Sequence, residues 1–530
     1  MNALLVLYAG DLSGEAARPV FLGKSSLSLA AERSRLFPGV AKIVVLAGPP
    51  RGPMPPGALE ALAGGGALVE RRDGPWTARA LFEAVAAHSA GMDLAYLAWA
   101  DCPFLDPALA ARLADRHLRY AAEYSYADGW PYGLAPEILA PETASALAGI
   151  LGDGDGGPAG RGAAFSAIQR DINAFDIETE ISPVDLRPLR LSLCADSKRN
   201  LLLLRRLAEG GGAVPDAAAV ERAVGERPGA LRTLPAFYPI QVFGGCPQSC
   251  SYCPWPLASD RAVTERRDFM DARRFEALLD KIAAFSGDAV VGLSLWGELS
   301  LHPQKAELVE AALGRPELAL VIETSGVGWK GEELEKISRI ARNAPPRLAP
   351  SPAALSWIVS LDSADPERYR EMRGAGFAEA GECAKRLASL FPKDAYAQAV
   401  RTEGAEDDIE RFYRAWKEAA GANAIIQKYD DFCGMLPRRQ ASDLSPVQRH
   451  PCWHVMRDMP ILIDGTVPLC RQQVARQRSG GQVALGNAFD EDLEAIWERG
   501  EPHHEAQASA AGAARDPLCA GCDEYYTYNF

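Results

Sequence analysis

Long apolar runs are missing from this chain of 530 residues. No stretch approaches the roughly 20 consecutive apolar residues that a membrane-spanning helix needs. The first residues, MNALLVLYAGDLSG, contain an apolar run with no positively charged segment before it, so they predict a buried strand rather than a secretion signal. We therefore expect no membrane partner and a cytoplasmic location.

An excess of basic charge is also missing. Lys and Arg total 56 against 70 for Asp and Glu, which gives a net charge of −14. Proteins that bind nucleic acid usually present a basic surface, so this balance predicts no nucleic-acid partner. Hydrophobic residues at 48% and charged residues at 24% are typical of a globular protein, and the length favours several domains.

Cysteine, by contrast, is plentiful, with eleven residues. An odd number of thiols in a reducing compartment favours metal ligation over disulfides, and seven of the eleven fall into two groups in the second half of the chain. Cys102, Cys194 and Cys383 have no partner nearby in the sequence and are expected in the core.

The pattern of apolar runs predicts an α/β fold in four parts. Residues 1–206 alternate short strands with alanine-rich helices, which indicates βαβ units around a parallel sheet. Residues 207–236 are rich in Gly, Ala and Pro and are predicted to be a linker that contains a helix. Residues 237–430 hold six strand–helix pairs, which predict a partial (β/α)6 barrel of the TIM type with its active site at the carboxyl ends of the strands. Residues 431–530 form a small cysteine-rich domain.

The stretch GGCPQSCSYCPWP places Cys246, Cys250 and Cys253 on the loop after the first predicted barrel strand. Zinc sites usually combine two C-x2-4-C pairs, and no fourth ligand lies nearby. Three thiolates on a cubane iron–sulfur cluster would leave one iron open to another ligand.

This motif, with Tyr252 before its last cysteine, resembles the signature of radical S-adenosylmethionine (SAM) enzymes. The resemblance implies a 4Fe–4S cluster on the three cysteines and SAM on the fourth iron. It also implies cleavage of SAM by one electron, from a donor such as flavodoxin or ferredoxin, to a 5′-deoxyadenosyl radical that abstracts hydrogen.

Further segments resemble those that bind SAM in this family. Gly297 and Glu298, in LWGELSLHP, resemble the Gly-Gly-Glu segment that receives the SAM amino group, with Trp296 in place of the first glycine. By the same resemblance, other candidate cofactor-binding residues follow the next three strands: Thr324, Ser360, Asp362, Gln398 and Arg401.

The second cysteine group consists of Cys452, Cys470, Cys519 and Cys522, and four thiolates alone are equally suited to a zinc ribbon. The segments around them, including LGNAFDEDLEAIW and CAGC, resemble the SPASM extension of radical SAM enzymes. The resemblance implies one auxiliary 4Fe–4S cluster on these four cysteines, with an electron-transfer or structural role. Cys433, in YDDFCGMLP, is interpreted as an alternative ligand, a catalytic thiol or a buried loop cysteine.

The N-terminal part resembles cytidylyltransferases that activate sugars, in the segments AWADCPFLDPALAARLADRH and YGLAPEILAPETASAL. This implies a Rossmann-like, nucleotide-diphosphosugar-transferase (GT-A-like) domain in which Asp101 helps to bind a divalent metal such as Mg2+. The first loop resembles a phosphate loop with altered spacing, in which the corresponding residues are Gly10, Gly14, Arg18 and Lys24. The whole arrangement resembles the spiro-SPASM proteins.

Three functions are therefore considered. The first is a radical SAM enzyme with two 4Fe–4S clusters that acts on a peptide, a protein or a nucleotide-linked sugar. The alternative is a nucleotidyltransferase of the cytidylyltransferase type with a regulatory or structural iron–sulfur half, which predicts pyrophosphate release dependent on Asp101 and no SAM cleavage. The third is a zinc-binding scaffold without catalytic activity.

Overall fold

The computed structural model describes residues 1–64, 66–152, 157–447, 449–473, 483–508 and 517–527. The chain forms two compact units, Met1–Thr233 (unit 1) and Leu234–Phe530 (unit 2). The helix expected within residues 207–236 lies at Ala217–Glu226, inside unit 1. The finer division into four parts stays a prediction. Among the described residues, no helix combines the length and the apolar character needed to cross a membrane.

Unit 1 contains nine strands and eight α-helices among its described residues. The strands are β1 (Ala3–Ala9), β2 (Pro19–Phe21), β3 (Lys24–Ser25), β4 (Val40–Ala47), β5 (Leu68–Arg71), β6 (Leu94–Trp99), β7 (Tyr124–Asp128), β8 (Glu137–Leu139) and β9 (Ile177–Ile181). The α-helices are α1 (Ser26–Ser34), α2 (Glu60–Ala63), α3 (Ala78–His88), α4 (Pro107–Arg119), α5 (Pro141–Ile150), α6 (Ala163–Ile168), α7 (Lys198–Ala208) and α8 (Ala217–Glu226). Short 3-10 helices lie at Gly14–Ala17, Gln169–Ala174, Arg187–Leu189 and Pro228–Leu231.

The main sheet of unit 1 has the strand order β5–β4–β1–β6–β8–β7–β9. The fully buried β1 lies inside it, parallel to β4 and β6 as the βαβ pattern predicts. Strand β8 departs from that prediction because it runs antiparallel to both of its neighbours. The connection from β7 to β8 spans only residues 129–136, which is too short for the crossover that two parallel strands need. The sheet is therefore mixed.

The numbering of strands and helices continues from unit 1 into unit 2. Its strands are β10 (Phe237–Pro239), β11 (Ala289–Leu293), β12 (Leu318–Thr324), β13 (Leu355–Ser360), β14 (Ala395–Arg401), β15 (Asn423–Lys428), β16 (Thr466–Pro468) and β17 (Ala484–Asn487). Its α-helices are α9 (Trp255–Ala258), α10 (Ala272–Ser286), α11 (Lys305–Leu313), α12 (Gly331–Asn343), α13 (Pro366–Arg373), α14 (Phe377–Leu390), α15 (Glu406–Tyr413), α16 (Trp453–Arg457), α17 (Leu493–Glu498), α18 (Glu501–Ala508) and α19 (Pro517–Gly521). The part of unit 2 that the structure describes also contains 3-10 helices at Leu299–Leu301 and Arg471–Gln473 and a π-helix at Arg414–Ala419.

Strands β10 to β15 form one sheet in sequential order, and every neighbouring pair is parallel. Strand β12 shows how the two faces of this sheet pack. Leu320 and Ile322 belong to the large core, which also contains helix residues. Ala319 and Val321 belong to a small apolar group on the other face. Both faces are buried, as expected for parallel strands joined by helices. The carboxyl ends of all six strands lie at one edge, which is where the loops with the predicted site residues begin.

The free edge of β10 is covered by residues 459–461. Met459 N–H donates to Phe237 O and Ile461 N–H donates to Pro239 O, both at 2.9 Å, and Gln241 N–H donates to Ile461 O at 2.9 Å. This backbone pairing satisfies an otherwise unpaired edge. It also places the cysteine-rich C-terminal segment beside the loop that follows β10.

Candidate functional site

The loop after β10 brings the first cysteine group together. Cys246 N–H donates to Val263 O at 3.0 Å and Cys253 N–H donates to Cys250 O at 3.1 Å, so the backbone holds the loop in place. Burial raises the pKa of all three thiols, to about 12 at Cys253, and the charges of Cys250 and Cys253 raise the pKa of Cys246 further. Three partly buried thiols whose thiolates are disfavoured by burial fit a cationic metal centre, because metal coordination stabilises thiolates.

An apolar wall of Trp255, Trp296 and Phe432 lies against these cysteines. The rings of Trp255 and Trp296 stack with centroids 6.4 Å apart, and the ring of Phe432 lies 5.5 Å from that of Trp296. Cys246 and Cys253 pack against the same apolar group. Trp296 stands where the family resemblance expects glycine, yet its φ of 43° keeps the left-handed backbone that glycine favours. The turn is preserved and gains an aromatic ring.

Gly297 is the point at which the turn after β11 meets the cysteine loop. Its φ is 141°, and a Cβ atom at this position would lie 1.8 Å from the carbonyl oxygen of Phe243. The next residue, Glu298, donates its backbone N–H to Gly245 O at 2.9 Å. Only glycine allows this approach, so the contact fixes Glu298 next to the cysteine loop.

We expect Gly297→Ala to weaken SAM binding by about tenfold or more, which corresponds to about 1.4 kcal/mol. The added methyl group must push the turn away from Phe243 and displace Glu298. Equilibrium titration of SAM into anaerobically reconstituted protein measures the effect. Gly381→Ala is the matched control, since a Cβ there meets nothing within 4 Å inside α14. Equal SAM affinities for the two variants would contradict the expectation.

The carboxylate of Glu298 is buried and accepts three hydrogen bonds. Thr324 Oγ1 donates at 2.6 Å, and the N–H groups of Ser300 and Ser325 donate at 3.1 and 2.7 Å. Trp329 Nε1 in turn donates to Thr324 Oγ1 at 2.9 Å. The structure thus joins two predicted cofactor-binding residues, Glu298 and Thr324, in one network at the ends of β11 and β12.

Tyr252 and Asp362, two further predicted residues, meet at Arg373, which the sequence did not single out. Tyr252 donates its hydroxyl to Asp362 Oδ2 at 2.5 Å, and Arg373 Nη1 donates to the same oxygen at 2.8 Å and to the hydroxyl of Tyr252. Val400 N–H donates to Asp362 Oδ1 at 2.8 Å. The Arg373 and Asp362 side chains are only 6% and 0% exposed.

Arg373 faces the cysteine loop. Its Nε donates to Gln248 Oε1 at 3.2 Å, and its positive charge opposes the burial that raises the pKa of Cys250. Arg373 therefore offsets part of the negative charge that thiolates and Asp362 concentrate here. The only signal in the sequence was its place in the segment SLDSADPERYREMRG, where it ends α13, the helix after the loop that carries Asp362.

A polar group occupies the inner face of the sheet at the ends of β12, β13 and β14. Gln398 Nε2 donates to Glu323 Oε1 at 3.1 Å and to Ser360 Oγ at 3.3 Å. Burial raises the pKa of Glu323, and the charges of Arg471 and Arg373 oppose that shift. Ser360 and Gln398 were predicted from the sequence, whereas Glu323 was not singled out.

Arg401 is the predicted cofactor-binding residue that the structure places apart from this group. It lies at the end of β14, where its side chain is 43% exposed and Nη2 contacts Glu406 at 3.4 Å. An exposed pair of this kind contributes little to stability. A cofactor role for Arg401 stays a prediction.

The second cysteine group also converges. Burial raises the pKa of Cys452 to about 12, and the neighbouring charges of Cys519 and Cys522 add to that shift. Burial raises the pKa of Cys470 as well, and the charges of Cys452, Cys519 and Cys522 add to that shift. Gln507 connects two of the four, since its Oε1 accepts from Cys452 N–H at 3.1 Å and its Nε2 lies 3.6 Å from the sulfur of Cys519. Four thiols in one place, of which Cys470 is buried and the others are partly buried, fit a metal cluster.

Cys433 is a fifth thiol at this second site. It lies on the loop after β15, where the nearby Cys522 and burial raise the pKa of its thiol, and its sulfur lies 3.9 Å from Gln472 Oε1. The loop is tied to the cysteine segment by ion pairs as well, since Arg471 Nη2 lies 3.4 Å from Asp430 Oδ2 and 3.0 Å from Glu524 Oε2. A role for Cys433 as an alternative ligand or a catalytic thiol stays a prediction.

In unit 1, the predicted metal ligand Asp101 has a guanidinium partner. Arg161 Nη1 donates to Asp101 Oδ1 at 3.0 Å, Nη2 donates to Oδ2, and Nη2 also contacts Asp196 at 3.2 Å. The sulfurs of Cys102 and Cys194, both buried as expected, lie 3.4 Å apart beside it. A divalent cation at Asp101 stays a prediction, and it would have to displace Arg161.

The basic residues of the predicted phosphate loop pair with acidic neighbours. Lys24 Nζ lies 2.7 Å from Glu32 Oε2, and Arg18 Nε lies 3.4 Å from Glu15 Oε2. Both basic side chains are at least half exposed. Phosphate binding by this loop stays a prediction.

Two family models match unit 2. The model described as the radical SAM superfamily matches residues 240–400, which include the first cysteine group and strands β11 to β13. The model described as an iron–sulfur cluster-binding domain, SPASM, matches residues 452–523, which include the second cysteine group. The iron–sulfur description favours a cluster over the zinc alternative for this domain.

Similar proteins are found among curated sequences and solved structures. An uncharacterized protein of Treponema pallidum (strain Nichols) is 39% identical over 375 residues, which cover 69% of this chain and 98% of the relative. The Streptococcus suis protein SuiB bound to precursor peptide SuiA has a TM-score of 0.41 at 14% identity, covering 73% of this chain and 84% of SuiB. A cytidylyltransferase from Leptospira borgpetersenii has a TM-score of 0.36 at 15% identity, covering 43% of this chain and 95% of its own.

The family models match the two segments in which the cysteines converge. They confirm the resemblance on which the radical SAM and SPASM predictions rested, while the narrower likeness of unit 1 to cytidylyltransferases stays a prediction. The chain belongs to the radical SAM superfamily, carries an iron–sulfur cluster-binding domain of the SPASM type, and is an enzyme of that class.

Proposed function

We propose that this enzyme cleaves SAM reductively at a 4Fe–4S cluster held by Cys246, Cys250 and Cys253 and abstracts hydrogen from a substrate. The observation that carries the proposal is the convergence of these three partly buried thiols at the ends of the parallel strands. The backbone contact from Glu298 to Gly245 supports it, because it brings the predicted SAM-binding turn against the cysteine loop. When bound, the cluster would supply the electron that cleaves SAM.

The residues of the chain would prepare this chemistry in three ways. Trp255, Trp296 and Phe432 cover part of the surface of Cys246 and Cys253 and would lower the local dielectric constant there. Arg373 places a buried positive charge near Cys250 and holds the hydroxyl of Tyr252. Thr324 orients the carboxylate of Glu298 through a hydrogen bond of 2.6 Å.

The substrate is proposed to bind at the edge where β12, β13 and β14 end, within a partial (β/α)6 barrel. Glu323, Ser360 and Gln398 offer hydrogen-bonding groups there on the inner face of the sheet. The proposed substrates are a peptide, a protein or a nucleotide-linked sugar, and the proposed electron donor is flavodoxin or ferredoxin.

We further propose that Cys452, Cys470, Cys519 and Cys522 hold one auxiliary 4Fe–4S cluster. Their mutual effects on thiol pKa support a single shared site. Four protein ligands occupy all four irons, which favours an electron-transfer or structural role over substrate ligation.

The alternative function, nucleotidyl transfer, receives less support. It needs a carboxylate at Asp101 that can bind a divalent cation with the triphosphate. Both oxygens of that carboxylate accept hydrogen bonds from Arg161, and the guanidinium charge opposes a second cation. The radical SAM function is therefore the conclusion that the geometry supports best.

Anaerobic reconstitution with iron and sulfide tests the proposal. The wild-type protein is expected to bind about eight iron atoms per chain and to form 5′-deoxyadenosine from SAM only when dithionite is added. Cys383→Ala, which removes a core cysteine outside both groups, is the matched control and should behave like wild type. Protein that holds its clusters but forms no 5′-deoxyadenosine above the reaction without dithionite would refute the proposed reaction.

A further inference from the structure

Two buried cysteines of unit 1 meet although they are 92 positions apart in the chain. The sulfurs of Cys102 and Cys194 lie 3.4 Å apart, and the sulfur of Cys102 lies 3.8 Å from Asp101 Oδ1. One ligand atom from each of these three residues, which we call the Asp101 cluster, lies within 4.8 Å of the other two. The residues are 2%, 1% and 0% exposed in the order Asp101, Cys102 and Cys194. A carboxylate and two thiols therefore share one buried position.

The backbone holds the two segments of the Asp101 cluster together. Ala195 N–H donates to Asp101 O at 2.8 Å, which fixes the segment of Cys194 beside that of Cys102. Gly133, with a φ of 100°, allows the close approach of a third segment. A Cβ atom at Gly133 would lie 2.8 Å from Leu193 O and 3.4 Å from the sulfur of Cys102. The position of the two sulfurs is thus set by the packing of the backbone around them.

The Asp101 cluster also lies where sheets of this kind bind ligands. Asp101 and Cys102 come just after the end of β6 at Trp99. Strands β4 and β5 extend the sheet on one side of β1, whereas β6 pairs with its other side, so the strand order reverses between β1 and β6. In open α/β sheets, ligands bind outside the carboxyl ends of the strands at such a switch point. The topology thus favours a ligand site at the Asp101 cluster.

The distances in the Asp101 cluster are close to those of a tetrahedral zinc site. Zinc binds thiolate sulfur at about 2.3 Å and carboxylate oxygen at about 2.0–2.2 Å. At the tetrahedral angle, these bond lengths separate two sulfurs by about 3.8 Å and a sulfur from an oxygen by about 3.5 Å. The observed separations are 3.4 Å between the sulfurs and 3.8 Å between the Cys102 sulfur and Asp101 Oδ1. Small shifts of the side chains would therefore complete the coordination.

The ligand types of the Asp101 cluster favour zinc over Mg2+. Mg2+ prefers oxygen ligands, and two of the three ligand atoms here are sulfur, which favours zinc. Two thiolates also balance the charge of Zn2+, so the guanidinium of Arg161 opposes zinc less than it opposes Mg2+. Zinc would displace Arg161 Nη1 from Asp101 Oδ1, while Nη2 keeps its contacts with Asp101 Oδ2 and Asp196.

We propose that Asp101, Cys102 and Cys194 bind one Zn2+ ion in unit 1, at a site distinct from the two cysteine groups of unit 2. Each of the two thiols gives up its proton to the solvent as zinc binds, so no oxidation is involved. Three protein ligands leave the fourth position of the tetrahedron to water. This site is independent of the proposed SAM reaction, and its two sulfur ligands distinguish it from the Mg2+ site that the resemblance to cytidylyltransferases implies.

The zinc content of the full chain after anaerobic reconstitution with iron and sulfide tests this site. The protein is equilibrated with Zn2+, freed of excess metal by gel filtration and analysed for zinc and iron by mass spectrometry. Wild type should hold about one Zn2+ per chain more than Cys102→Ala or Cys194→Ala. Cys383→Ala, which removes a core cysteine of unit 2, is the matched control and should keep the zinc. Zinc bound elsewhere cancels in the comparison, and the iron content should not change.

X-ray absorption at the zinc edge of the wild-type protein needs no variant to fold. We expect about two sulfur ligands at about 2.3 Å and lighter ligands at about 2.0–2.2 Å. Zinc bound by four sulfurs, or by oxygen and nitrogen alone, would overturn the inference.

The other failures are distinct from those of the proposed function. Equal zinc in wild type, Cys102→Ala and Cys194→Ala would overturn the inference and leave the iron–sulfur sites standing. A disulfide between Cys102 and Cys194 in the anaerobic protein would overturn the inference as well. Zinc that depends on Cys102 in a protein that binds no iron would support the zinc site and count against the proposed clusters.

Discussion

Alanine at Cys246, Cys250 and Cys253 together is expected to abolish formation of 5′-deoxyadenosine and to lower the iron content from about eight to about four atoms per chain. These three cysteines provide every thiol of the loop after β10, and the protein offers no substitute thiol on that loop. The three cysteines are only partly buried, and the apolar wall keeps its aromatic rings, so the fold should survive. Iron analysis and chromatographic detection of 5′-deoxyadenosine measure both effects.

The reciprocal variant, with alanine at the second cysteine group, is the control for this prediction. It comprises Cys452, Cys470, Cys519 and Cys522, and it should lose the other four or so iron atoms while the first group keeps its own. Retention of SAM cleavage by the first variant would refute the assignment of the reaction to the loop after β10. Loss of all iron from the variant with alanine at Cys246, Cys250 and Cys253 would refute the prediction that the two cluster sites are independent.

Replacing Arg373 with methionine is expected to lower the free energy of unfolding by about 3–5 kcal/mol, because it leaves Asp362 as a buried carboxylate without its cation. Tyr252 loses a hydrogen-bond partner at the same time, next to Cys253. We therefore expect the rate of 5′-deoxyadenosine formation to fall by about tenfold or more, since a charged hydrogen bond contributes about 1.5–3 kcal/mol. Urea unfolding followed by tryptophan fluorescence gives the stability change.

A matched substitution separates this effect from the general loss of an arginine. Arg386→Met breaks an ion pair with Glu335 in which the side chains are 45% and 44% exposed, and it should cost at most about 1 kcal/mol. Combining Arg373→Met with Asp362→Asn should recover part of the stability, because the isolated charge is then removed. Equal losses in Arg373→Met and Arg386→Met would contradict the importance of the buried pair.

Much of the architecture could be predicted from the pattern of apolar residues. Alternating strands and helices predicted an α/β fold with parallel strands, and the sheet of β10 to β15 confirms it in the expected order. Strand β8 was not foreseen as antiparallel, because direction depends on the length of a connection and not on strand composition. The strand expected at YPIQVFGG pairs with β11 only over Phe237–Pro239. Ile240 N–H still donates to Gly292 O, but Gln241 N–H donates to Ile461 O of the C-terminal segment, which local sequence cannot reveal.

The candidate site was predictable to the extent that its chemistry lies in short motifs. Cys-x3-Cys-x2-Cys and the turn with Gly297 and Glu298 are local, so the spacing of the cysteines and the resemblance of the turn to a family segment drew attention to them. Arg373 at the end of α13 and Glu323 in β12 were missed because arginine and glutamate are usually surface residues unless they are paired. Their significance appears only when parallel strands bring residues more than 100 positions apart into contact, as in the hydrogen bond from Tyr252 to Asp362.

The sequence by itself determined which groups could bind metal, because thiol number and spacing set how many ligands a loop can offer. It also determined the family, since the motifs stand at the ends of successive strands. Only the tertiary structure decided which polar groups face those thiols. In the tertiary structure Asp101 pairs with Arg161. Trp296 and Phe432 lie against the first cysteine group, and Cys433 lies beside the second. These contacts depend on burial and on backbone turns such as the left-handed pair at 432–433, which no local pattern of residues specifies.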